Sequence, residues 1–266
     1  MAADDRVARE RVFYDARAAL LHVDRVDVTA SFERATGPEN RFILARLGDV
    51  RGRTLLDVGC GAGENSIYFA ERGARCTAVD CSPGMVEAAM GLAERHGVAV
   101  EGRVVDANAM DFPDGSFDIV YAANVLHHVD PEACLREIHR VLKPGGVAAT
   151  WDPLRHNPLI NVYRRMATDV RSPDERPLDI GILRFIEGLF SRVEWDTFWL
   201  TTLWIFLRFY LIERVHPNAE PYWKKIITDE PRLRPTYERL ERVDRWLKRW
   251  PPLKCFAWNL AVVAWK

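Results

Sequence analysis

The sequence has few of the features that mark secreted, membrane-spanning or nucleic-acid-binding proteins. Its five cysteines form no CxxC pair, and their odd number suits a reducing compartment better than a disulfide framework. The longest apolar region, residues 198–212, is interrupted by Arg208 and falls short of the roughly 20 residues that a membrane-spanning helix needs. A formal net charge of −1 gives no general attraction for a polyanion. Residues 1–20 contain no apolar stretch of signal-peptide character, so the expected location is cytoplasmic.

What is present is the composition of a globular protein. Apolar residues make up 48% and charged residues 28% of the 266-residue chain, which argues against disorder. The length suits one large domain, or a core of ordinary size with an elaboration.

Between residues 53 and 153, short apolar runs alternate with helical patterns. The apolar runs predict five strands, at residues 54–59, 75–80, 100–109, 117–124 and 147–153. The intervening segments predict helices at residues 63–73, 82–97 and 131–146. Alternation of this kind builds a parallel sheet with helices on both faces.

The flanking regions complete the expected architecture. Residues 1–35 and 36–48 are predicted to be helical, and all nine tryptophans lie at or after Trp151. The later elements are a predicted helix at residues 178–190 and strands at 192–200 and 255–265, separated by a mostly helical segment. The predicted fold class is therefore α/β: a Rossmann-like, seven-stranded, mostly parallel sheet with helices on both faces, an antiparallel last strand and an α-helical lid. We divide the chain into a core with N-terminal helices (1–200), a Trp-rich helical insertion (201–254) and the last core strand (255–266).

A glycine-rich turn follows the first predicted strand. Residues 55–66 read LLDVGCGAGENS, with glycines at positions 59, 61 and 63. Glycine permits strained backbone angles and lets a ligand approach the main chain, and the following helix presents free N–H groups. Asp80 ends the next strand, where a carboxylate can accept hydrogen bonds from both hydroxyls of a ribose. The pattern predicts a site for a ribose-containing ligand.

Position 64 separates two candidate ligands. The dinucleotide fingerprint G-x-G-x-x-G, counted from Gly59, requires glycine at position 64, which is Glu64 here. A carboxylate would repel the pyrophosphate of NAD. S-adenosylmethionine (SAM) has no phosphate and carries a positive sulfonium, so acidic neighbours suit it. The residues favour SAM over NAD.

Four ordered motifs resemble the class I SAM-dependent methyltransferases, in particular the small-molecule subgroup of type 11. They are LLDVGCGAGENS, AVDCSPGMVEAA, DANAMDFPDGSFDIVYAANVLHHV and EIHRVLKPGG, within about residues 50–155. The resemblance implies that residues of these motifs hold the cofactor: Asp57, Gly59, Gly61 and Gly63 around the methionine, Asn124 near it, Asp80 at the ribose, and Met85, Asp106 and Ala107 at the adenine. Structural roles are the alternatives for three of them, since Asp57 could order its turn, Met85 fill the core and Asp106 cap a strand end.

The candidate catalytic residues are His127 and His128, which follow the fourth strand at the ligand end of the sheet. A histidine with a pKa near neutrality could deprotonate a hydroxyl or phenol acceptor, although one of the pair could instead cap the turn before Asp130. Tyr14 resembles the N-terminal tyrosine that closes over the cofactor in this family; packing on the core is the alternative. No metal site is expected, because adjacent histidines on a helix could not easily share one ion.

The Trp-rich insertion would supply the acceptor half of the site. Residues 198–215 are apolar on every helical face, which favours a hydrophobic acceptor (lipid, prenyl, polyketide or quinone-like) and O- or C-methylation. His156 and Tyr163 are candidates to line this pocket. Residues 221–254 carry ten Lys or Arg against five Asp or Glu, mixed with tryptophan. That mixture suits a membrane interface or an anionic substrate, and an amphipathic lid whose charges face water is the simpler interpretation.

Two other functions fit parts of the sequence. A non-catalytic SAM-binding scaffold would carry the same cofactor motifs. An NAD-dependent oxidoreductase is disfavoured by Glu64 and by the lack of a convincing Tyr–Lys pair. Nucleic acid is not an expected partner, because the rest of the chain has no basic surplus.

Overall fold

The computed structural model of the protein describes residues 3–266, with side chains from Arg6 onward. The strands are β1 (Thr54–Val58), β2 (Arg75–Asp80), β3 (Val100–Val104), β4 (Phe117–Ala123), β5 (Leu142–Pro153), β6 (Arg192–Phe198) and β7 (Asn259–Trp265). The helices are α1 (Ala3–Ala18), α2 (Ala30–Glu33), α3 (Pro38–Leu47), α4 (Glu64–Ala70), α5 (Pro83–His96), α6 (Pro131–Val141), α7 (Pro158–Met166), α8 (Ile182–Leu189), α9 (Trp204–Leu211), α10 (Tyr222–Thr228), α11 (Glu230–Leu247) and α12 (Pro251–Lys254).

The seven strands form one sheet in the order β3-β2-β1-β4-β5-β7-β6. Strands β1 to β5 are parallel to one another, and β7 runs antiparallel to both β5 and β6. The strand order reverses between β1 and β4, so the loops after these strands diverge and leave a crevice at their carboxyl ends. This topology confirms the predicted seven-stranded, mostly parallel sheet.

Local sequence explains both the strands and the helix starts. The residues of β1 after Thr54 are all buried, as expected for a strand covered on both faces. Helices α5, α6 and α7 each begin with a polar cap followed by proline: Ser82, Asp130 and Asn157 accept hydrogen bonds from backbone N–H groups of the first turn. Proline fits the next position because its missing N–H has no partner there in any helix. These caps fix where each helix leaves the ligand end of the sheet.

Several predicted boundaries were wrong for identifiable reasons. The helix predicted to reach residue 146 ends at Val141, because Leu142 already pairs with Phe117 in the sheet. The third strand ends at Val104 rather than 109. The helix predicted from residue 178 begins at Ile182, since Leu178 bridges to Leu154. Of the segment predicted to be helical at residues 1–35, the described residues 3–35 form α1, a short 3-10 turn and α2, with non-helical residues between them.

Helices α9 to α12 lie between β6 and β7 and form an aromatic-rich layer. Phe206, Phe209 and Tyr222 pack together with ring centroids 5.3–6.5 Å apart. Residues 198–215, which are apolar on every helical face, are buried only in part. Only α9 is helical in this region, and its Trp204 and Leu211 are 62% and 66% exposed. Among the described residues, no helix combines the length and the hydropathy of a membrane span.

Candidate cofactor and acceptor site

The predicted cofactor residues lie where β1, β2, β3 and β4 end, beside the change in strand order. Gly59, Gly61 and Gly63 all have positive φ angles, of 66°, 52° and 92°. A Cβ at position 63 would lie 2.7 Å from the Cβ of Ala89 on α5, so both the backbone angle and the close packing require glycine. The turn is thereby held against α5, and the N–H groups of Cys60, Gly61 and Gly63 donate to Val79, Asp80 and Cys60.

The interior of this turn is acidic. Asp57 is fully buried, and one carboxylate oxygen accepts a 2.6 Å hydrogen bond from the Ser66 hydroxyl, while the other has no partner among the described residues. Burial, together with the neighbouring Glu64 and Asp80, raises the pKa of Asp57 to about 7, against the lowering effect of the hydrogen bond from Ser66. Three carboxyl groups thus share one small region, and such a region attracts a cationic ligand and repels a phosphate.

Asp80 lies at the end of β2 with both oxygens directed at the turns around it. Its carboxylate accepts from the N–H of Gly61 at 3.1 Å and of Ser82 at 2.9 Å. Burial raises the pKa of Asp80, and these two N–H groups oppose that effect. Each oxygen retains capacity for a further hydrogen bond, as a ribose diol requires.

Asp15 of α1 is a site residue that the sequence did not reveal. Its Oδ1 accepts from the Ser82 hydroxyl at 2.5 Å and from the Gly84 N–H at 3.0 Å. This contact lays α1 across the turn that follows Asp80. A single aspartate in a charged helix gives no sequence signal for a partner 67 residues away.

The expected adenine residues lie in α5 and just after β3. Met85 is buried in the first turn of α5. Asp106 accepts from the backbone and side-chain nitrogens of Asn108 through Oδ1 alone, at 2.8 and 2.9 Å, beside the half-buried Ala107. Asp106 therefore does order the turn after β3 through Oδ1, and its Oδ2 remains able to accept a hydrogen bond from a ligand. Asn124 is exposed after β4 with a φ of 58°, a left-handed conformation that asparagine tolerates well.

His127 and His128 lie in a turn after β4, each beside a buried carboxylate. Nδ1 of His127 lies 2.7 Å from Asp152 of β5, and Nδ1 of His128 lies 3.1 Å from Glu10 of α1. The Asp152 carboxylate also accepts from the backbone N–H of His127 at 3.2 Å. Within residues 6–266, Nε2 of His127 has no hydrogen-bond partner. The sequence suggested neither carboxylate, because both are brought in from distant elements.

Burial opposes charge on both members of the His127–Asp152 pair. It lowers the pKa of His127 well below its usual value and raises that of Asp152, while backbone N–H groups after β4 favour the ionised carboxylate. His127 is therefore neutral at physiological pH, with its Nδ1–H directed at Asp152 and Nε2 able to accept a proton.

Tyr14 of α1 lies near both the histidine turn and Asp80. Its hydroxyl lies 3.0 Å from Nε2 of His128, and the two rings meet edge to face. Burial raises the pKa of Tyr14, and Glu10 and Asp80 act in the same direction. The residue lies between the ribose-side carboxylate and the histidine pair.

The reason given for expecting no metal was wrong. The histidines lie in a turn and not in a helix, with ring centroids 4.0 Å apart, and their nitrogens lie within 4.8 Å of a Glu175 oxygen. However, Arg171 forms an ion pair with Glu175, and Arg6, Arg164 and Arg171 all lower the pKa of His127 electrostatically. That positive surrounding disfavours a cation, and the absence of a metal stays a prediction.

The other acceptor-side candidates have separate positions. His156 pairs with Asp179 at 3.3 Å. Tyr163 is buried with a hydroxyl that has no partner among the described residues. From the insertion, Lys224 of α10 approaches the glycine turn closely enough to lower the pKa of Glu64, against the raising effect of burial. A wide groove lined by Thr77, Met90 and other residues lies at the opposite end of the strands and contains none of the candidate residues.

The residues present fit SAM. The unpartnered oxygen of buried Asp57 can accept from an ammonium group, and the acidic turn suits a sulfonium. Asp80 and Asp106 retain acceptor capacity at the expected ribose and adenine positions.

Sheet order and site together define an α/β domain of the class I methyltransferase type. Residues 56–150 match the sequence family described as "Methyltransferase domain". Over this part of its length the chain is similar to class I SAM-dependent methyltransferases.

Curated relatives agree with this assignment. The chain is 37% identical over 148 residues to the O-methyltransferase resE of Aspergillus sclerotiorum, covering 52% of this chain and 55% of the relative. It is 44% identical over 102 residues to the ubiquinone biosynthesis O-methyltransferase of Pseudomonas paraeruginosa, covering 36% and 42%. The chain thus spans about half the length of the curated relatives it matches.

A solved structure shares the fold. It is the Haemonchus contortus phospholethanolamine N-methyltransferase 2 in complex with phosphomonomethylethanolamine and S-adenosylhomocysteine. The TM-score is 0.56 at 22% identity, over 86% of this chain and 52% of that one.

Proposed function

We propose that the chain transfers the methyl group of SAM to a small hydrophobic acceptor, with an oxygen as the favoured nucleophile. The observation that carries the proposal is the acidic turn of Asp57, Glu64 and Asp80, built on glycines with positive φ. Residues 201–254 would cover the acceptor side, as the aromatic packing of α9 and α10 supports. The cytoplasmic location stays a prediction.

In the proposed reaction the chain binds, aligns and excludes water. Bound SAM supplies an electrophilic methyl on a positive sulfur. Asp80 would hold the ribose, Asp57 the ammonium group and Asp106 the adenine amine. His127 would accept the proton of the acceptor hydroxyl at Nε2, in the tautomer whose Nδ1–H faces Asp152. The acceptor oxygen would take the methyl group, and S-adenosylhomocysteine would leave.

The proposal predicts selective binding of S-adenosylhomocysteine over NAD. The purified chain is titrated with each compound in a calorimeter, and only S-adenosylhomocysteine is expected to give saturable heat. SAM should gain affinity relative to S-adenosylhomocysteine between about pH 6 and about pH 8, because Asp57 ionises near pH 7 and then attracts the sulfonium. Heat with NAD alone would show that the methyltransferase function is wrong.

A non-catalytic scaffold makes a different prediction about turnover. It would bind S-adenosylhomocysteine but transfer no labelled methyl to any hydroxylated aromatic or quinol-like acceptor. The buried His127–Asp152 pair with a free Nε2 favours the enzyme, since cofactor binding alone needs no such pair.

The insertion also supports contact with an anionic bilayer. On α11, Arg239, Arg242, Val243 and Trp246 recur at three- and four-residue spacing on the exposed face, opposite the buried Leu233 and Tyr237. Trp246 and Trp250 are 60% and 68% exposed. Tryptophan beside arginine is typical of surfaces that bind lipid headgroups, at about 1 kcal/mol per basic residue.

Vesicle co-sedimentation tests this contact. The chain is expected to sediment with phosphatidylglycerol-containing vesicles and not with pure phosphatidylcholine vesicles. The double variant Arg242→Gln/Trp246→Ala should lower the bound fraction severalfold, whereas the matched surface variant Arg75→Gln/Arg95→Gln should not. Equal sedimentation of both variants would assign α11 to an ordinary solvent-facing lid.

A further inference from the structure

Arg164 of α7 is a half-buried cation that forms no ion pair with a carboxylate among the described side chains. Its Nη1 donates to the Leu154 carbonyl at 3.1 Å and to Asn161 at 2.9 Å. Nε and Nη2 are buried and have no acceptor among the described residues. Burial and the neighbouring Arg171 together lower the pKa of Arg164 to about 9. A buried charge left in this state is costly unless another partner neutralises it.

The two unpaired nitrogens lie on the same edge of the guanidinium. Nε–H and Nη2–H point in parallel and match the two oxygens of a carboxylate or phosphate group, in the bidentate arrangement that arginine favours. The hydrogen bonds from Nη1 to Leu154 and Asn161 fix the orientation of the guanidinium. The free edge is therefore oriented before any ligand binds.

The surroundings place this edge on the acceptor side of the site. Arg164 and Arg171 both act electrostatically on His127, and Arg171 acts on Tyr163, whose buried hydroxyl has no partner among the described residues. Arg171 is already paired with Glu175. Arg164 and Tyr163, together with Nε of Arg6, thus have unpaired donor groups beside the histidine turn.

We propose that Arg164 binds an anionic two-oxygen group of the methyl acceptor, a carboxylate or a phosphate ester, and so makes the acceptor amphipathic: charged at α7 and apolar toward α9 and α10. This inference rests on the proposed function and specifies its substrate class. Tyr163 donates a further hydrogen bond to the same group. Because Nε and Nη2 are closed to water here, the ligand enters when the side chains around them move.

The test uses anions as probes in thermal unfolding of the full chain, without cofactor. Benzoate, phenyl phosphate and the neutral benzamide are compared at constant ionic strength, for the wild type, Arg164→Met and the control Arg165→Met. Arg165 is the exposed neighbour on the same helix. At about tenfold excess over its Kd, a bound anion should raise the wild-type Tm by about 3 °C or more.

The expected result is a rise with at least one anion in the wild type and Arg165→Met, no rise with benzamide, and no rise in Arg164→Met. A rise with benzoate alone identifies a carboxylate site, and a rise with phenyl phosphate identifies a phosphate site. No anion-specific rise in the wild type, or an equal rise in Arg164→Met, overturns the proposal. Because S-adenosylhomocysteine is absent, this outcome is independent of whether the cofactor binds.

Discussion

Asp80→Ala is expected to weaken S-adenosylhomocysteine binding by about 100-fold or more. The proposed ribose contact consists of two hydroxyls that donate to one ionised carboxylate, and a hydrogen bond to a charged group contributes about 1.5–3 kcal/mol. Loss of both bonds therefore exceeds the roughly 1.4 kcal/mol that corresponds to each tenfold change in Kd. Titration calorimetry of wild type and variant measures the effect directly.

Two further variants separate ribose binding from loosening of the turn. Asp80→Asn can still accept from the N–H of Gly61 or Ser82, but it lacks the charge and one of the acceptor oxygens, so its Kd should lie between those of wild type and Asp80→Ala. Asp111→Ala removes a fully exposed carboxylate and should change nothing. If Asp80→Ala bound as tightly as Asp111→Ala, the cofactor would lie elsewhere.

Sequence reasoning succeeded where the signal is local. Position 63 needs glycine because of its own φ and because Ala89 of α5, 26 residues further on, packs against it, and both demands fall within two consecutive βα units. Asp80 is recognisable because a carboxylate at the end of a buried strand has a fixed place in a parallel sheet. The fold and the cofactor half follow from such short-range patterns.

The acceptor half could not be predicted, because distant elements assemble it. Asp152 reaches His127 from β5, and Glu10 reaches His128 from α1. Each is a single acidic residue without a recognisable motif around it. Its contact with a histidine arises only because the fold places β5 beside β4 and α1 beside the loops after the strands. The unpaired edge of Arg164 is likewise visible only once α7 is packed.

His127→Ala is expected to lower kcat by about 10²–10⁴-fold, the usual contribution of a positioned general base. Cofactor binding should be unchanged, because His127 contacts Asp152 and not the acidic turn. The rate is measured as transfer of labelled methyl to a hydroxylated acceptor that the wild type converts, with His96→Ala, which removes a remote histidine paired with Glu71, as the control.

The pH profile distinguishes a base from a merely structural histidine. The base must be neutral, and because burial lowers the pKa of His127 well below its usual value, wild-type activity should persist below about pH 6.5 and fall only under more acidic conditions. His127→Ala should lose this acid limb. Asp152→Asn keeps one oxygen for the His127 backbone N–H and Nδ1 but removes the carboxylate charge that stabilises a protonated imidazole, so it should also be slow at normal cofactor affinity. Full activity in both variants would leave the pair as a cap for the turn after β4 and would place the proton acceptor on the substrate side or on His128.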